Sequence, residues 1–203
     1  MVTQQEKLEI DIVCIARQTS KRFPNKIFME VNGKSILELI IQKLKTCEQN
    51  IIFAIPETPT NDELYQYLLN EKVNVYRGCE ENVLDRFICA SNIGSAQFVQ
   101  RFNCDNLLFQ PSYVLQCYQE LLDNDSCIYS NIECKNHSGQ SVEIIRKDRC
   151  KITSSPTDYE KEHIFPYFYR MGYKRYNLSC PTTDVFPIDY PADLKRAEEE
   201  LKI

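Results

Sequence analysis

Residues 10–55 read IDIVCIARQTSKRFPNKIFMEVNGKSILELIIQKLKTCEQNIIFAI, and the hydrophobic period changes twice along them. Ile10 to Ala16 is continuously apolar apart from Asp11, the pattern of a strand buried on both faces. A polar loop from Arg17 to Lys26 follows. Ser35 then opens a helix, with Glu38 three residues on as a capping box, and ILELIIQKLK carries the 3.6-residue period. Asn50 to Ile55 is a second buried strand. A strand, a helix of about ten residues and another strand form a βαβ unit, which implies a parallel sheet.

The alternation continues downstream. Thr60 and Glu63 form a capping box before the helix ELYQYLLNE, and Asn74 to Tyr76 reads as a short strand. Asn82 to Ile93 is predicted as a helix, Ala96 to Phe102 as a strand and Ser112 to Leu122 as a helix. Ligands of open parallel sheets bind beyond the carboxyl ends of the strands. That rule selects three loops: 17–26, 77–86 and 103–107. Cys127 to Ser130 and Val142 to Arg146 read as strands in the less regular second half. Tyr159 to Met171 reads as an aromatic-rich helix that Pro166 can interrupt. Ala192 to Leu201 is a charged helix with Pro191 at its first turn. The expected fold is α/β, a mostly parallel sheet flanked by helices, as one domain over 1–203 with a small substrate subdomain at about 128–180.

Composition narrows the function classes. The 203 residues are 43% hydrophobic and 26% charged, a globular balance. A net charge of −5 argues against a general nucleic-acid binder. No apolar run approaches the roughly 20 residues that span a bilayer. The opening MVTQQEKLEID carries no hydrophobic signal region, so a reducing cytoplasm is the expected compartment. The ten cysteines contain no C-x-x-C pair, and several sit in apolar segments, which reads as small buried side chains.

The first loop carries the chemistry. Arg17, Lys21, Arg22 and Lys26 place four cations within ten residues directly after a buried strand. Clustered Arg and Lys suit a polyphosphate, Arg by bidentate grip and Lys as a point charge. The loop has no glycine, so it is not a P-loop. On composition alone a solvated basic loop is the plainer reading. Asp105 and Asp189, each taken alone, read as loop or cap residues. Asp85 and Arg86 read equally as a surface pair on a helix, and His163 as a structural histidine beside aromatics.

Motif order changes that weighing. The segment IARQTSKRFPNKIFMEVNGKSILELIIQKL closely resembles the opening of the acylneuraminate and 3-deoxy-manno-octulosonate cytidylyltransferases, nearest the spore-coat polysaccharide biosynthesis protein F group. Arg17, Ser20, Arg22, Pro24, Lys26, Gly33 and Lys34 match its pattern. VYRGCEENVLDRF (75–87), RFNCDNLLFQP (101–111), EHIFPYFY (162–169) and IDYPADL (188–194) resemble later motifs of the family, in family order. The resemblance implies a nucleotide-diphospho-sugar transferase-like core that transfers CMP from CTP to an acidic sugar and releases pyrophosphate, in surface polysaccharide biosynthesis. It implies that Ala16, Arg17, Ser20, Arg22 and Lys26 wrap the triphosphate, with Arg17, Arg22 and Lys26 stabilising the departing pyrophosphate. It assigns Arg77, Asp85 and Arg86 to the nucleotide, Glu143 and His163 to the sugar, and Asp105 and Asp189 to Mg²⁺. Relatives are commonly dimers, which makes a homodimer one expected assembly.

The sequence departs from the family pattern in places. Cys104 replaces a small Ala or Gly, Leu107 a Pro, Asn103 a Thr, and Ser141 an acid; residues 130–148 are compressed. Two rivals follow. A glycosyltransferase of similar core would show a D-x-D near the fourth strand, where this chain has Asn103-Cys104-Asp105-Asn106. A non-catalytic homologue would bind nucleotide without turnover.

Overall fold

Strand β1 (Ile10–Ile15) runs through the middle of the sheet, as its unbroken apolar pattern requires. This computed structural model describes residues 9–20, 22–123, 128–130, 142–177 and 186–201. A short hairpin of β2 (Glu30–Val31) and β3 (Lys34–Ser35) follows the basic loop. Asn32 and Gly33 turn it with φ of 52° and 79°, the two positive angles that an Asn-Gly turn supplies at little cost. Then come α1 (Ile36–Lys45), β4 (Asn50–Pro56), α2 (Asp62–Asn70), β5 (Asn74–Gly78), α3 (Val83–Ser91), β6 (Phe98–Asn103) and α4 (Pro111–Asp123). The second half adds β7 (Ile128–Ser130), β8 (Glu143–Arg146), α5 (Asp158–His163), α6 (Phe165–Arg170), β9 (Arg175–Asn177) and α7 (Pro191–Glu200).

Among the described residues the main sheet has the order β5-β4-β1-β6-β8-β7-β9. The first four strands are parallel, β8 is antiparallel to both β6 and β7, and β9 is parallel to β7. Strand alternation splits the core into two layers. Ile12, Cys14, Phe53, Phe102 and Ile144 pack against α1, α2, α4 and α7. Val13, Ala54, Val99 and Ile145 face α3, α6 and Ile164. In α1, Ile36, Leu37, Ile40, Ile41 and Leu44 are buried, and each such side chain is worth about 1.5–3 kcal/mol when fully buried. That docking, with Ser35 Oγ accepting from Glu38 N at 3.1 Å, holds a helix too short to persist alone.

Three expectations shift. Thr60 does not cap α2, because Pro59 starts a 3-10 turn (Pro59–Asn61) that takes Thr60 inside it. The 3-10 turn also frees the Asn61 carboxamide, which accepts from Gln18 N at 2.8 Å and pins the basic loop. The aromatic helix is two helices, broken at Ile164 with φ 65° and ψ −74° rather than at Pro166, which sits in the first turn of α6. Strand β6 starts at Phe98, since Ala96 N donates to Asp11 Oδ2 instead of to a ladder. Four of the described cysteines, Cys14, Cys104, Cys117 and Cys150, are buried free thiols. Lys21, Cys127, Cys134, His137, Ser141, Cys180 and most of the compressed segment lie outside the described residues.

The amino end of the parallel strands is closed by polar groups. Asp11, 2% exposed, accepts from Asn50 Nδ2 and Ala96 N and lies 3.6 Å from Lys147 Nζ. Lys147 also donates to Gly94 O. Gly94 presses on this carboxylate so closely that an added Cβ would stand 1.9 Å from Asp11 Oδ2.

Candidate active site

The carboxyl ends of β1 and β6 open into a cavity of about 410 Å³. The loop after β1 contributes Arg17, Ser20, Arg22 and Lys26, with Ala16 at its start. The start of α3 contributes Val83 and Arg86. Strand β6 and its loop contribute Arg101, Asn103, Cys104 and Asp105, and the end of α5 contributes Glu162 and His163. All three loops selected by the parallel-sheet rule meet there, joined by one from the second half.

The basic loop is held at several points. Gln18 Nε2 donates to Glu63 Oε2 at 2.6 Å, Thr19 Oγ1 to Glu80 Oε1 at 3.0 Å, and Asn25 N to Gln18 O at 3.0 Å. Asn25 takes φ 55°, a left-handed angle that asparagine tolerates better than most residues. Ser20 Oγ accepts from Phe23 N at 3.4 Å, so its hydroxyl shapes the turn as well as lining the cavity.

The cavity holds three polar groupings. In the first, Lys26 Nζ lies 2.9 Å from Asp105 Oδ2, 2.9 Å from Ile188 O and 3.4 Å from Asp189 Oδ1. Arg22 reaches the same Asp189 oxygen at 2.9 Å. The two carboxylate oxygens therefore lie no further apart than those two lysine distances together. The backbone fixes this closeness. Ile188 N donates to Asp105 O at 2.8 Å, and Asp193 Oδ2 accepts from both Asp189 N and Tyr190 N at 2.8 Å.

In the second grouping, Arg86 is 1% exposed, with Nη1 donating to Cys79 O and to Glu80 O. Its Nε is buried with no partner. Burial, and then the nearby Arg17 charge, bring its pKa down to about 10. Arg17 itself makes no ion pair among the described residues. Two guanidiniums that line one cavity and repel each other favour an anion there.

In the third, Arg101 Nη2 lies 2.5 Å from Glu143 Oε2, directly across the β6–β8 ladder, and Nη1 donates to His163 O at 2.8 Å. Tyr169 Oη donates to Glu143 Oε1 at 2.8 Å. Burial pushes the Glu143 carboxyl up, and Arg101 and Tyr169 oppose that shift. The His163 ring rests on Tyr159, with centroids 4.4 Å apart. Ile164, next in the chain, holds a left-handed angle that costs a β-branched residue about 1–3 kcal/mol. Its complete burial and the Arg101 bond to the preceding carbonyl offset that cost.

Of the residues singled out in the sequence, Ala16, Arg17, Ser20, Arg22, Lys26, Arg86, Asp105 and His163 line one cavity. Asp189 joins through Lys26 and Arg22, and Glu143 lies beneath Arg101. Arg77 and Asp85 do not join them. Arg77 turns to Asp62 Oδ1 at 2.7 Å and Thr58 O at 3.0 Å, and stacks over Tyr65 at 4.9 Å. Asp85 sits in the first turn of α3, its N–H donating to Asn82 Oδ1, where a carboxylate favours the helix dipole. The sequence reading missed Arg101, Glu162 and the positioning residue Asp193. A cation inside the buried run FVQRFN was the available signal for Arg101.

Fold and cavity define an α/β protein built to hold a polyanion beside paired carboxylates. A family model described as cytidylyltransferase matches residues 12–200, and the chain belongs to that family. It is accordingly a nucleotidyltransferase that uses CTP. Uncharacterized protein MJ1063 of Methanocaldococcus jannaschii is 30% identical over 193 residues, covering 93% of this chain and 75% of that protein. The spore coat polysaccharide biosynthesis protein SpsF of Bacillus subtilis is 24% identical over 124 residues, 58% of this chain and 52% of that one. A cytidylyltransferase from Leptospira borgpetersenii has the same fold, with a TM-score of 0.83 at 21% identity over 94% of this chain and 85% of that chain. A CMP:2-keto-3-deoxy-manno-octonic acid synthetase solved with CTP follows at 0.66 and 13% identity, covering 95% and 98%. Among the described residues no helix is long and apolar enough to cross a membrane.

Proposed function

We propose that this chain transfers CMP from CTP to an acidic sugar with Mg²⁺ as cofactor, in the cytoplasm, as a step in surface polysaccharide biosynthesis. The observation that carries the reading is the convergence of Asp105 Oδ2, Asp189 Oδ1 and Ile188 O on one cationic point beside Arg17, Arg22 and Arg86. An all-oxygen donor set fits a hard divalent cation that keeps waters and shares phosphate oxygens. When bound, the ion neutralises phosphate charge and makes the attacking hydroxyl more acidic.

The protein's own groups act by position and charge. Arg17 and Arg86 grip the triphosphate from two sides. Arg22 and Lys26 receive the charge that grows on pyrophosphate. A sugar hydroxyl oxygen bonds to the α-phosphorus as the bond to the bridging oxygen breaks; the hydroxyl proton passes to solvent. Arg101 and His163 form the other grouping, where an anionic acceptor would find a guanidinium and an imidazole. The octonic acid in the name of the CTP-bound synthetase favours an acidic acceptor, and the name of the Bacillus subtilis relative favours polysaccharide biosynthesis. We read the chain as one domain, with assembly as a homodimer left to solution measurement.

The test is a pyrophosphate-release screen of four nucleoside triphosphates against octulosonate and nonulosonate acceptors, with and without Mg²⁺. Release is expected only with CTP, an acidic sugar and the metal together. No release from CTP with any acceptor would defeat the proposal. Transfer from a ready-made nucleotide sugar would favour the glycosyltransferase instead.

A further inference from the structure

Lys26 has all three ammonium donors assigned. Asp105 Oδ2, Ile188 O and Asp189 Oδ1 accept them, and the side chain is only 13% exposed. The backbones that carry these three oxygens are held together without the lysine. The bond from Ile188 N to Asp105 O and the two that Asp193 accepts hold them from behind. Two carboxylates that face one point repel each other unless a cation lies between them. Asp189 has Arg22 as a second cation, whereas among the described residues Asp105 has Lys26 alone. The loop around Lys26 is pinned through Gln18 and Asn61, so a change at this point falls to the side chain, a flexible four-carbon stem.

We propose that Lys26 is a tethered placeholder for the divalent cation, filling its oxygen cage in the nucleotide-free chain and leaving it only when a triphosphate draws the ammonium away. This rests on the metal–nucleotide reading above and adds an order to it. A divalent ion alone must displace a bound ammonium, so it binds weakly. The triphosphate gives the lysine other oxygens to neutralise, so ion and nucleotide enter together. The device also keeps the paired acids neutralised while the site is empty.

The experiment uses Mn²⁺ as the probe, without nucleotide, and follows free ion by electron paramagnetic resonance. The wild type should bind Mn²⁺ weakly. Lys26→Gln should bind it about tenfold more tightly or better, because removing an internal competitor raises the competent fraction. The double variant Lys26→Gln/Asp105→Asn should lose that gain. Mn²⁺ should also raise the Tm of Lys26→Gln more than that of the wild type. Lys26→Met, which keeps the aliphatic stem, carries the same comparison if the glutamine variant does not fold. Equal Mn²⁺ affinity in the wild type and the lysine variant overturns the placeholder, as does a gain that survives Asp105→Asn. Neither result depends on turnover, so pyrophosphate release by the wild type judges the function separately.

Discussion

The two ends of the parallel strands carry the same pair chemistry in different settings. At the amino end, Asp11 is sealed by Asn50, Ala96 and Gly94 and is 2% exposed, and Lys147 reaches it from the surface. At the carboxyl end, Lys26 meets Asp105 and Asp189, which keep 26% and 23% of their side-chain surface, and Lys26 and Asp105 open onto a cavity. A walled pair loses heavily when one member goes, because the remaining charge is stranded. A pair that faces water and ligand contributes little to stability. One end secures the sheet and the other is left free for chemistry.

The largest expected effect tests the open end. Asp105→Asn should lower pyrophosphate release from CTP by about 10³-fold or more, the size of several kcal/mol of lost transition-state stabilisation. Its thermal melt should stay near the wild type. Retained activity would remove Asp105 from the mechanism, and a collapsed melt would erase the contrast between the ends.

Gly94→Ala probes the closed end. A methyl group 1.9 Å from Asp11 Oδ2 must push the carboxylate off its partners. A loss of about 3 kcal/mol in urea unfolding is expected, from overpacking and a strained buried pair together. The fraction still folded should turn over normally. Unchanged stability would show the amino end to be looser than its packing implies.

Arg86→Met gives the smallest effect and sharpens the comparison. A buried guanidinium with its pKa lowered to about 10 carries a cost in its charged form. That cost is present at neutral pH and is relieved only as pH rises through the folded value. Removing the charge should leave the ligand-free Tm nearly unchanged. CTP binding should weaken by about ten- to a hundredfold, for a lost charge-assisted bond of about 1.5–3 kcal/mol. Calorimetry decides it: undiminished CTP affinity would make Arg86 a structural prop for the 79–80 carbonyls.

The parallel half of the fold was legible because buried strands read as continuous apolar runs, and the helices between them announce their caps. Ser35 does so with its hydroxyl, while the Glu38 carboxylate accepts from Gln42 instead of closing the box. Thr60 misled because a proline one residue earlier set up a tighter turn. The convergence of Arg17, Arg22, Lys26, Asp105 and Asp189 followed from motif order, since no local pattern links residue 26 to residue 189. Arg77 and Asp85 are assigned with Arg86 by the resemblance of the 75–87 segment to a family motif. Strand and helix geometry sends the three side chains to different neighbours, and a linear motif does not record that. Arg101 escaped because its counter-charge, Glu143, becomes a neighbour only through antiparallel pairing. The break at Ile164 had no local marker, since its unusual angle is held by Arg101 from another strand.

The bond from Ile188 N to Asp105 O also has a bearing on how the enzyme comes into being. A ribosome that has released residues up to 177 has delivered every strand of the sheet among the described residues, yet one of the two acids is still unsynthesised. At that point the chain lacks Ile188 and Ala197 of its core as well as the second acid. Activity then arrives late in translation, as one docking event brings in Asp189 and closes the α7 side of the core.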